Sequence, residues 1–343
     1  MRATTIHAPF DVRLSEVPDP VISGPTDAVI KIVAGCICGS DLWSYRGENK
    51  IIPGSRIGHE YVGIVQEVGS DVRTVKPGDF VVTPFVASDG TCPNCLAGYQ
   101  SVCQNLVGIG SKDADGGQGE YAKVPYADGT LVATPEVPDD SLVPSLLTLS
   151  DVMGTGWHAA RAARVKPGDT VVVVGDGAVG LCGVLAAVRM GAERVVALSR
   201  HEARQKIAKE FGATHIIAER GDEAKAAVLE LTDGVGADAV LECVGTDQSF
   251  KTAFDIARAG STVGFVGVPH GVEVPIRTMF SRNVGLAGGV APARQYLPEL
   301  MADVLSGAID PGLVFDQELP LEEVAEGYKA MHERRAIKTL LRP

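Results

Sequence analysis

Gly175-Asp176-Gly177-Ala178-Val179-Gly180 follows directly on four consecutive valines, 171–174, and opens directly onto an apolar stretch that runs to Met190. Three glycines at this spacing, between a strand and a helix, narrow the possible folds more than any other feature of the chain. The first permits a tight turn, the second lets backbone approach a pyrophosphate, and the third lets helix and strand pack closely. N–H groups exposed at the start of such a helix, with its dipole, favour phosphate charge. A glycine-rich turn alone is often only a turn. The strand before it and the helix after it favour dinucleotide binding, with Gly175, Gly177, Ala178, Val179 and Gly180 at the cofactor.

The surrounding pattern agrees. Strands are predicted at Thr170–Val174, Arg194–Leu198, His215–Ile217, 239–243 and 262–266, and helices at 180–190, 202–211, 223–232 and 248–257. This alternation is the rhythm of an α/β fold with a doubly wound parallel sheet of the Rossmann type. The N-terminal half reads differently. Short apolar alternations at 28–33, 63–68 and Phe80–Thr83 are broken by Gly and Pro, with a Pro-Gly-Asp turn at 77–79, which suggests an antiparallel, barrel-like β domain. A tail with helical patterns at 296–306 and 321–332 closes on an apolar run, 336–341, that looks like a strand returning to a sheet. At 343 residues the chain exceeds what one core usually serves. The expected division is 1–152 with 287–343 as one domain and 153–286 as the other.

Bulk properties exclude some partners. With 43 acidic and 31 basic residues the formal charge is -12, which argues against nucleic acid. The opening residues lack the apolar core of a signal peptide, and no apolar run reaches the roughly 18 residues of a membrane span. Seven cysteines, an odd number, make a disulfide framework a poor expectation. A cytoplasmic protein without nucleic-acid or membrane partners is the expectation.

Cofactor choice is written at the tip of the second Rossmann strand. An NAD site expects Asp or Glu there, accepting a bond from the ribose 2′-OH. This chain has Leu198-Ser199-Arg200, with Arg204 one turn later. A small hydroxyl followed by Arg suits a 2′-phosphate, which repels carboxylates and takes charge-assisted bonds from Arg. A solvated basic turn at a helix start is the alternative. Ser199, Arg200 and Arg204 therefore predict NADP(H) over NAD(H).

Two further motifs are more specific. One is Gly58-His59-Glu60-x-x-Gly63-x5-Gly69-x-x-Val72; the other is Gly35-Cys36-Ile37-Cys38-Gly39-Ser40-Asp41. Together with the Rossmann half, they resemble the zinc-containing alcohol dehydrogenases of the medium-chain dehydrogenase/reductase superfamily. The resemblance implies a GroES-like catalytic domain beside the Rossmann domain, and makes Cys38 and His59 zinc ligands. A third ligand in many members is a Cys just before the Rossmann domain, where this chain has Asp151. Carboxylate oxygen is an acceptable zinc ligand, and three protein ligands with one open position is the catalytic arrangement. The competing role for Asp151 is N-cap of a helix starting at Val152. By the same resemblance Glu60 is an occasional ligand, Asp41 orients His59, and Ser40 links the substrate oxygen to a proton relay. Many members end that relay on a His where this chain has Trp43. Indole has one N–H and no acceptor, so Trp43 is assigned instead to the substrate pocket with Phe85. Cys36 matches no ligand position and reads as core.

Asp89, Cys92, Cys95 and Cys103 resemble the family's structural zinc lobe, with Asp in place of the first Cys. A degenerate lobe with three free thiols is the alternative. The resemblance further places Val244, Val266, Val268 and Lys338 at the cofactor. It implies a homodimer or homotetramer paired edge to edge near 284–289. The implied reaction moves a hydride between NADP(H) and an alcohol/carbonyl pair, with zinc polarising the substrate oxygen of a small alcohol, aldehyde or ketone. Two other functions stay open: a zinc-independent NADPH quinone or enoyl reductase, and a non-catalytic NADP(H)-binding protein. The ligand set of Cys38, His59 and Asp151 argues against the first, and that set with Ser40 against the second.

Overall fold

Val171, Val172 and Val173 are fully buried in the strand Thr170–Val174. Such burial on both faces is what a parallel sheet covered by helices imposes on its central strand. The computed structural model describes residues 1–343. It divides the chain into two units, Met1–Asp151 with Pro292–Pro343, and Val152–Ala291.

In the second unit six strands run in parallel. In spatial order they are His215–Ile217, Arg194–Leu198, Thr170–Val174, Ala237–Glu242, Ala257–Phe265 and Gly285–Gly288. The order reverses beside Thr170–Val174, so the glycine turn that follows this strand lies at the switch point where such sheets bind ligands. Helix Asp247–Ile256 starts with a capping box, in which Thr246 and Ser249 satisfy each other's backbone N–H groups. It buries Phe250 and Phe254 in the same cluster as Val172 and Val240. Truncating either ring to Ala would cost roughly 3–5 kcal/mol. Helix Val152–Ala162 lies so close to the sheet that a Cβ on Gly264 would stand 2.1 Å from the Ala159 carbonyl oxygen.

The strand Gly285–Gly288 also corrects the expected boundary at 287. Ala287 and Gly288 pair with Gly264 and Phe265. The ladder therefore keeps this segment in the second unit, and the chain leaves it only after Ala291.

The first unit is built on a seven-stranded sheet. Ala28–Cys36 pairs antiparallel with Tyr61–Val68, Tyr121–Val124 and the C-terminal Thr339–Arg342. Tyr61–Val68 pairs antiparallel with Phe80–Thr83. One pair departs from the antiparallel expectation: Gln317–Pro320 runs parallel to Thr339–Arg342. Two register irregularities in Ala28–Cys36, at Val29/Ile30 and Ile32/Ala34, bend that strand. Its end leads straight into Cys38. No helix is long and apolar enough to cross a membrane.

Candidate metal and cofactor sites

Sheet pairing explains why Cys38 and His59 meet. Gly35 is paired with Tyr61, and the Cys36 N–H donates to the Glu60 carbonyl at 3.1 Å. The turn after one strand therefore abuts the entry to the other. The third segment is delivered by the Phe85 N–H, which donates to the Ser150 carbonyl at 3.1 Å beside Asp151. As a result one donor atom each from Cys38, His59, Glu60 and Asp151 lies within 4.8 Å of the others. His59 Nε2 is 3.5 Å from Asp151 Oδ2, and Cys38 Sγ is 3.9 Å from the same oxygen. The other ring nitrogen, Nδ1, is 3.2 Å from Asp41 Oδ1, which leaves Nε2 for the cluster. The Asp151 carboxylate is thus in the cluster, where a ligand would be. The Ser40 hydroxyl donates to Cys38 Sγ at 3.3 Å.

The chemistry of these donors fits zinc: one thiol, one imidazole and carboxylate oxygen. So does their electrostatics. Burial raises the Cys38 thiol, and Glu60 adds to this while His59 opposes it. Burial alone would lower His59, but Asp41 and Cys38 outweigh it and hold the ring well above the usual imidazole range. A dication bound here would displace protons from these ligands.

Glu60 is fully buried, with Oε1 4.0 Å from His59 Nε2. Its oxygens are shared out behind the cluster. Oε1 accepts from Lys338 Nζ at 2.8 Å, and Oε2 from the Cys36 thiol at 3.2 Å. Lys338 is only 1% exposed and also donates to the Ile37 carbonyl at 3.3 Å. The resemblance places Lys338 at the cofactor; the structure pairs its ammonium with Glu60 in the first unit. A buried ammonium without such a partner would be costly.

A second connection was not visible in the sequence. Asp41 Oδ2 accepts from the Cys38 N–H at 3.0 Å and from Gln118 Nε2 at 3.3 Å. Gln118 Oε1 in turn accepts from the Tyr328 hydroxyl at 3.1 Å. No motif spacing links Gln118 and Tyr328 to Asp41; only the fold does. Trp43 lies on the helix Asp41–Arg46 that Asp41 begins, and both Trp43 and Phe85 are half-buried.

The second cluster is local. Asp89, Cys92, Cys95 and Cys103 also bring one donor each within 4.8 Å of one another, around helix Pro93–Leu96 and the turn Gln100–Val102. Cys92 Sγ and Cys103 Sγ are 3.8 Å apart, too far for a disulfide. Backbone N–H groups point at the sulfurs: Asp89 and Asn105 to Cys103 at 3.4 and 3.3 Å, and Gln104 to Cys92 at 3.4 Å. The Gln104 N–H leads the effects that lower Cys92, whereas burial and the neighbouring thiols push Cys95 up to about 12. Asp89 Oδ1 accepts from the N–H groups of Thr91 and Cys92, at 2.8 and 2.9 Å, and Oδ2 from Asn105 Nδ2 at 2.7 Å.

In the second unit the three glycines differ in what surrounds them. Gly175 has φ +119, a backbone that side chains disfavour, and a Cβ on Gly180 would stand 2.0 Å from the Gly175 carbonyl oxygen. A Cβ on Gly177 would meet nothing. That open space, at the N-terminus of helix Ala178–Arg189, is where a pyrophosphate can approach backbone. Val244 follows the strand Ala237–Glu242, and Val266 and Val268 follow Ala257–Phe265, all at the same carboxyl edge of the sheet. Val244 and Val268 are largely exposed.

At the tip of Arg194–Leu198, Ser199 is buried and Arg200 exposed. The Ser199 hydroxyl donates to Asp176 Oδ2 at 2.9 Å, and Arg204 Nη1 donates to Asp176 Oδ1 at 3.0 Å. Asp176, the residue between the first two glycines, is absent from the expected site. A carboxylate at that point of the fingerprint was the signal that could have found it.

A GroES-like unit carrying a mixed thiol, imidazole and carboxylate cluster, and a parallel sheet with a dinucleotide turn, define the class: a zinc-dependent, nicotinamide-linked oxidoreductase. Comparison with known proteins agrees. Residues 24–139 match the family described as alcohol dehydrogenase GroES-like domain, and 178–306 that described as zinc-binding dehydrogenase. The chain is 37% identical, over its whole length, to a probable zinc-binding alcohol dehydrogenase of Mycobacterium tuberculosis, of which it covers 89%. Among solved structures it is similar to the alcohol dehydrogenase TADH from Thermus sp. ATN1, with 31% identity and a TM-score of 0.93, covering 100% of this chain and 99% of that one. It is also similar to a putative zinc-binding dehydrogenase from Sinorhizobium meliloti bound to NADP, with 28% identity and a TM-score of 0.85, again covering 100% and 99%. The chain belongs to the zinc-type alcohol dehydrogenases of the medium-chain dehydrogenase/reductase superfamily.

Proposed function

We propose that this protein is an NADP(H)-dependent alcohol dehydrogenase or carbonyl reductase whose zinc is held by Cys38, His59 and Asp151. One observation carries the reading: three segments far apart in sequence bring these donors within 4.8 Å of one another. When bound there, zinc polarises the substrate oxygen while the nicotinamide takes or gives the hydride.

The chain's own groups prepare that step. Asp41 holds the Nδ1 side of His59 and so presents Nε2. Ser40, whose hydroxyl donates to Cys38 Sγ at 3.3 Å, links the substrate oxygen to a proton relay: on oxidation its oxygen accepts the alcohol proton as its own proton passes on to water, and on reduction the steps reverse. Trp43 cannot pass that proton on, because indole has no acceptor; it walls the substrate pocket with Phe85. Glu60 serves as a reserve donor. Asp89, Cys92, Cys95 and Cys103 hold a second, structural zinc.

The second unit binds the cofactor through Gly175, Gly177, Ala178, Val179, Gly180, Val244, Val266 and Val268. Ser199, Arg200 and Arg204, with Ser199 rather than a carboxylate at the tip of the second strand, support NADP(H). Substrates are small alcohols, aldehydes or ketones. The protein is a cytoplasmic homo-oligomer paired through the edge strand Gly285–Gly288, a reading supported by Ile276 and Phe280 nearby, which are 66% and 87% exposed.

The test combines metal analysis with turnover across a panel of alcohols and carbonyl compounds, using NADPH and NADH. The expected result is two zincs per chain and turnover that a chelator abolishes and zinc restores. Activity that survives chelation would instead favour the zinc-independent reductase, and a zinc-loaded protein inert across the panel a non-catalytic role.

A further inference from the structure

Two of the three residues that argue for a 2′-phosphate are already engaged by an anion. Asp176 uses both carboxylate oxygens on them, Oδ2 on the Ser199 hydroxyl at 2.9 Å and Oδ1 on Arg204 Nη1 at 3.0 Å. The contact is not a loose surface pair: the Asp176 and Arg204 side chains are 11% and 17% exposed, and Ser199 is 2% exposed. Gln205 Nε2 anchors the Ser199 carbonyl at 2.8 Å, so the tip is held from both sides. In an ordinary NAD site the acid that reads the ribose stands at the end of the second strand. Here that place belongs to Ser199, but a carboxylate reaches it from the glycine turn.

We infer that Asp176 is a specificity-determining residue that competes with a cofactor 2′-phosphate for Ser199 and Arg204. The inference rests on the NADP(H) reading above and qualifies it. A 2′-phosphate entering this corner meets a like charge within hydrogen-bond reach of its own partners, and Arg204 must leave one anion to serve the other. A ribose 2′-OH has the opposite experience, because it can donate to Asp176. Arg200, exposed and outside this contact, is left to favour the phosphate. The outcome is a cofactor site far less selective for NADP(H) than Ser199-Arg200 alone implies.

The test measures binding of 2′,5′-ADP and of 5′-AMP to the zinc-loaded, full-length protein by calorimetry, for the wild type and Asp176→Asn. Asn keeps the shape and the acceptor for Ser199 but removes the charge. The ratio of the two dissociation constants should move towards 2′,5′-ADP by about tenfold, the scale of removing one like-charge contact. The ratio of KM for NADPH to KM for NADH should fall in the same sense. A ratio that does not move, or equal shifts for both nucleotides, overturns the role of Asp176 whichever nucleotide the wild type prefers. The NADP(H) reading is judged separately, by the wild-type ratio together with Arg200→Ala. A wild type that takes 5′-AMP but not 2′,5′-ADP, and is unmoved by Arg200→Ala, overturns that reading and leaves the ratio test on Asp176 intact. Should Asp176→Asn not fold, Asp176→Ser removes the same charge: the ratio must again move towards 2′,5′-ADP, and an unmoved ratio counts against the inference.

Discussion

The first unit contains two clusters with the same outward description, four donors with one atom each inside 4.8 Å, yet they are built for different ends. The Cys38 cluster draws on three distant segments, leaves His59 and Asp151 at 19% and 15% exposure, and is backed by groups that orient rather than seal it. Asp41 faces His59, and Lys338 faces Glu60. The Cys92 cluster lies within a single loop, 89–103, buries its three cysteines and surrounds them with backbone N–H donors. The partly exposed, externally braced site leaves room for a substrate oxygen beside a metal; the buried, locally wound one does not. Donor count does not distinguish them. What lies behind the donors does.

Breaking the open cluster should have the largest effect. His59→Ala is expected to lower kcat/KM by at least about 1,000-fold, the scale of losing several kcal/mol of charge stabilisation, with near-native circular dichroism. Loss of fold with activity would remove the contrast. Next, Asp41→Asn should weaken zinc at this site by about 10–100-fold in a competition assay with a chromophoric chelator. Zinc at the Cys92 cluster should stay bound, because Asp41 does not touch it.

The closed cluster should respond in the opposite currency. Cys95→Ser is expected to release one zinc and lower Tm, by about 2–4 °C for each kcal/mol lost, while kcat stays within about twofold. A large fall in kcat at unchanged Tm would erase the distinction between the sites. The smallest effect is expected at the relay. Trp43→His supplies an acceptor where indole has none, so a new inflection in the pH–rate profile would support a relay through this position. An unchanged profile would leave Trp43 as a wall of the pocket.

Much of the fold was legible because its signals are local. The valine run, the three glycines and the helix after them are contiguous, and Thr170–Val174, Arg194–Leu198, His215–Ile217 and Phe80–Thr83 begin and end where their patterns do. Cys92 and Cys95 stand one helical turn apart, so their spacing implies their meeting. Boundaries fared worse where pairing decides them. The segment 287–291 reads as part of the tail, but its hydrogen bonds to Ala257–Phe265 keep it in the parallel sheet.

The site was legible as a set of residue types and less so as a set of partners. Cys38 and His59 were marked by motifs. Asp151 was open between zinc ligand and helix cap, and only its 3.5 Å approach to His59 Nε2 puts its carboxylate with the donors. Lys338 was assigned to the cofactor, yet it is buried against Glu60, because a sheet strand carries it into the first unit. Asp176 stood between two glycines of the motif without a role, and it holds Ser199 and Arg204, two of the three residues on which cofactor choice was based.

The sequence alone determined the class of fold and the dinucleotide turn, since these follow from periodicity and from neighbours a few residues apart; the chemical kinds of donor came from the resemblance of its motifs to the zinc-containing alcohol dehydrogenases. The facing of Asp41 and His59 was expected from the resemblance, but tertiary structure alone decided which cation the other carboxylates face: Glu60 towards Lys338, and Asp176 towards Arg204. The physical reason is the same in each case. Burial makes an unpaired charge expensive, so each charged group is held by whichever partner the strand pairing brings into reach, and spacing along the chain carries no record of that choice.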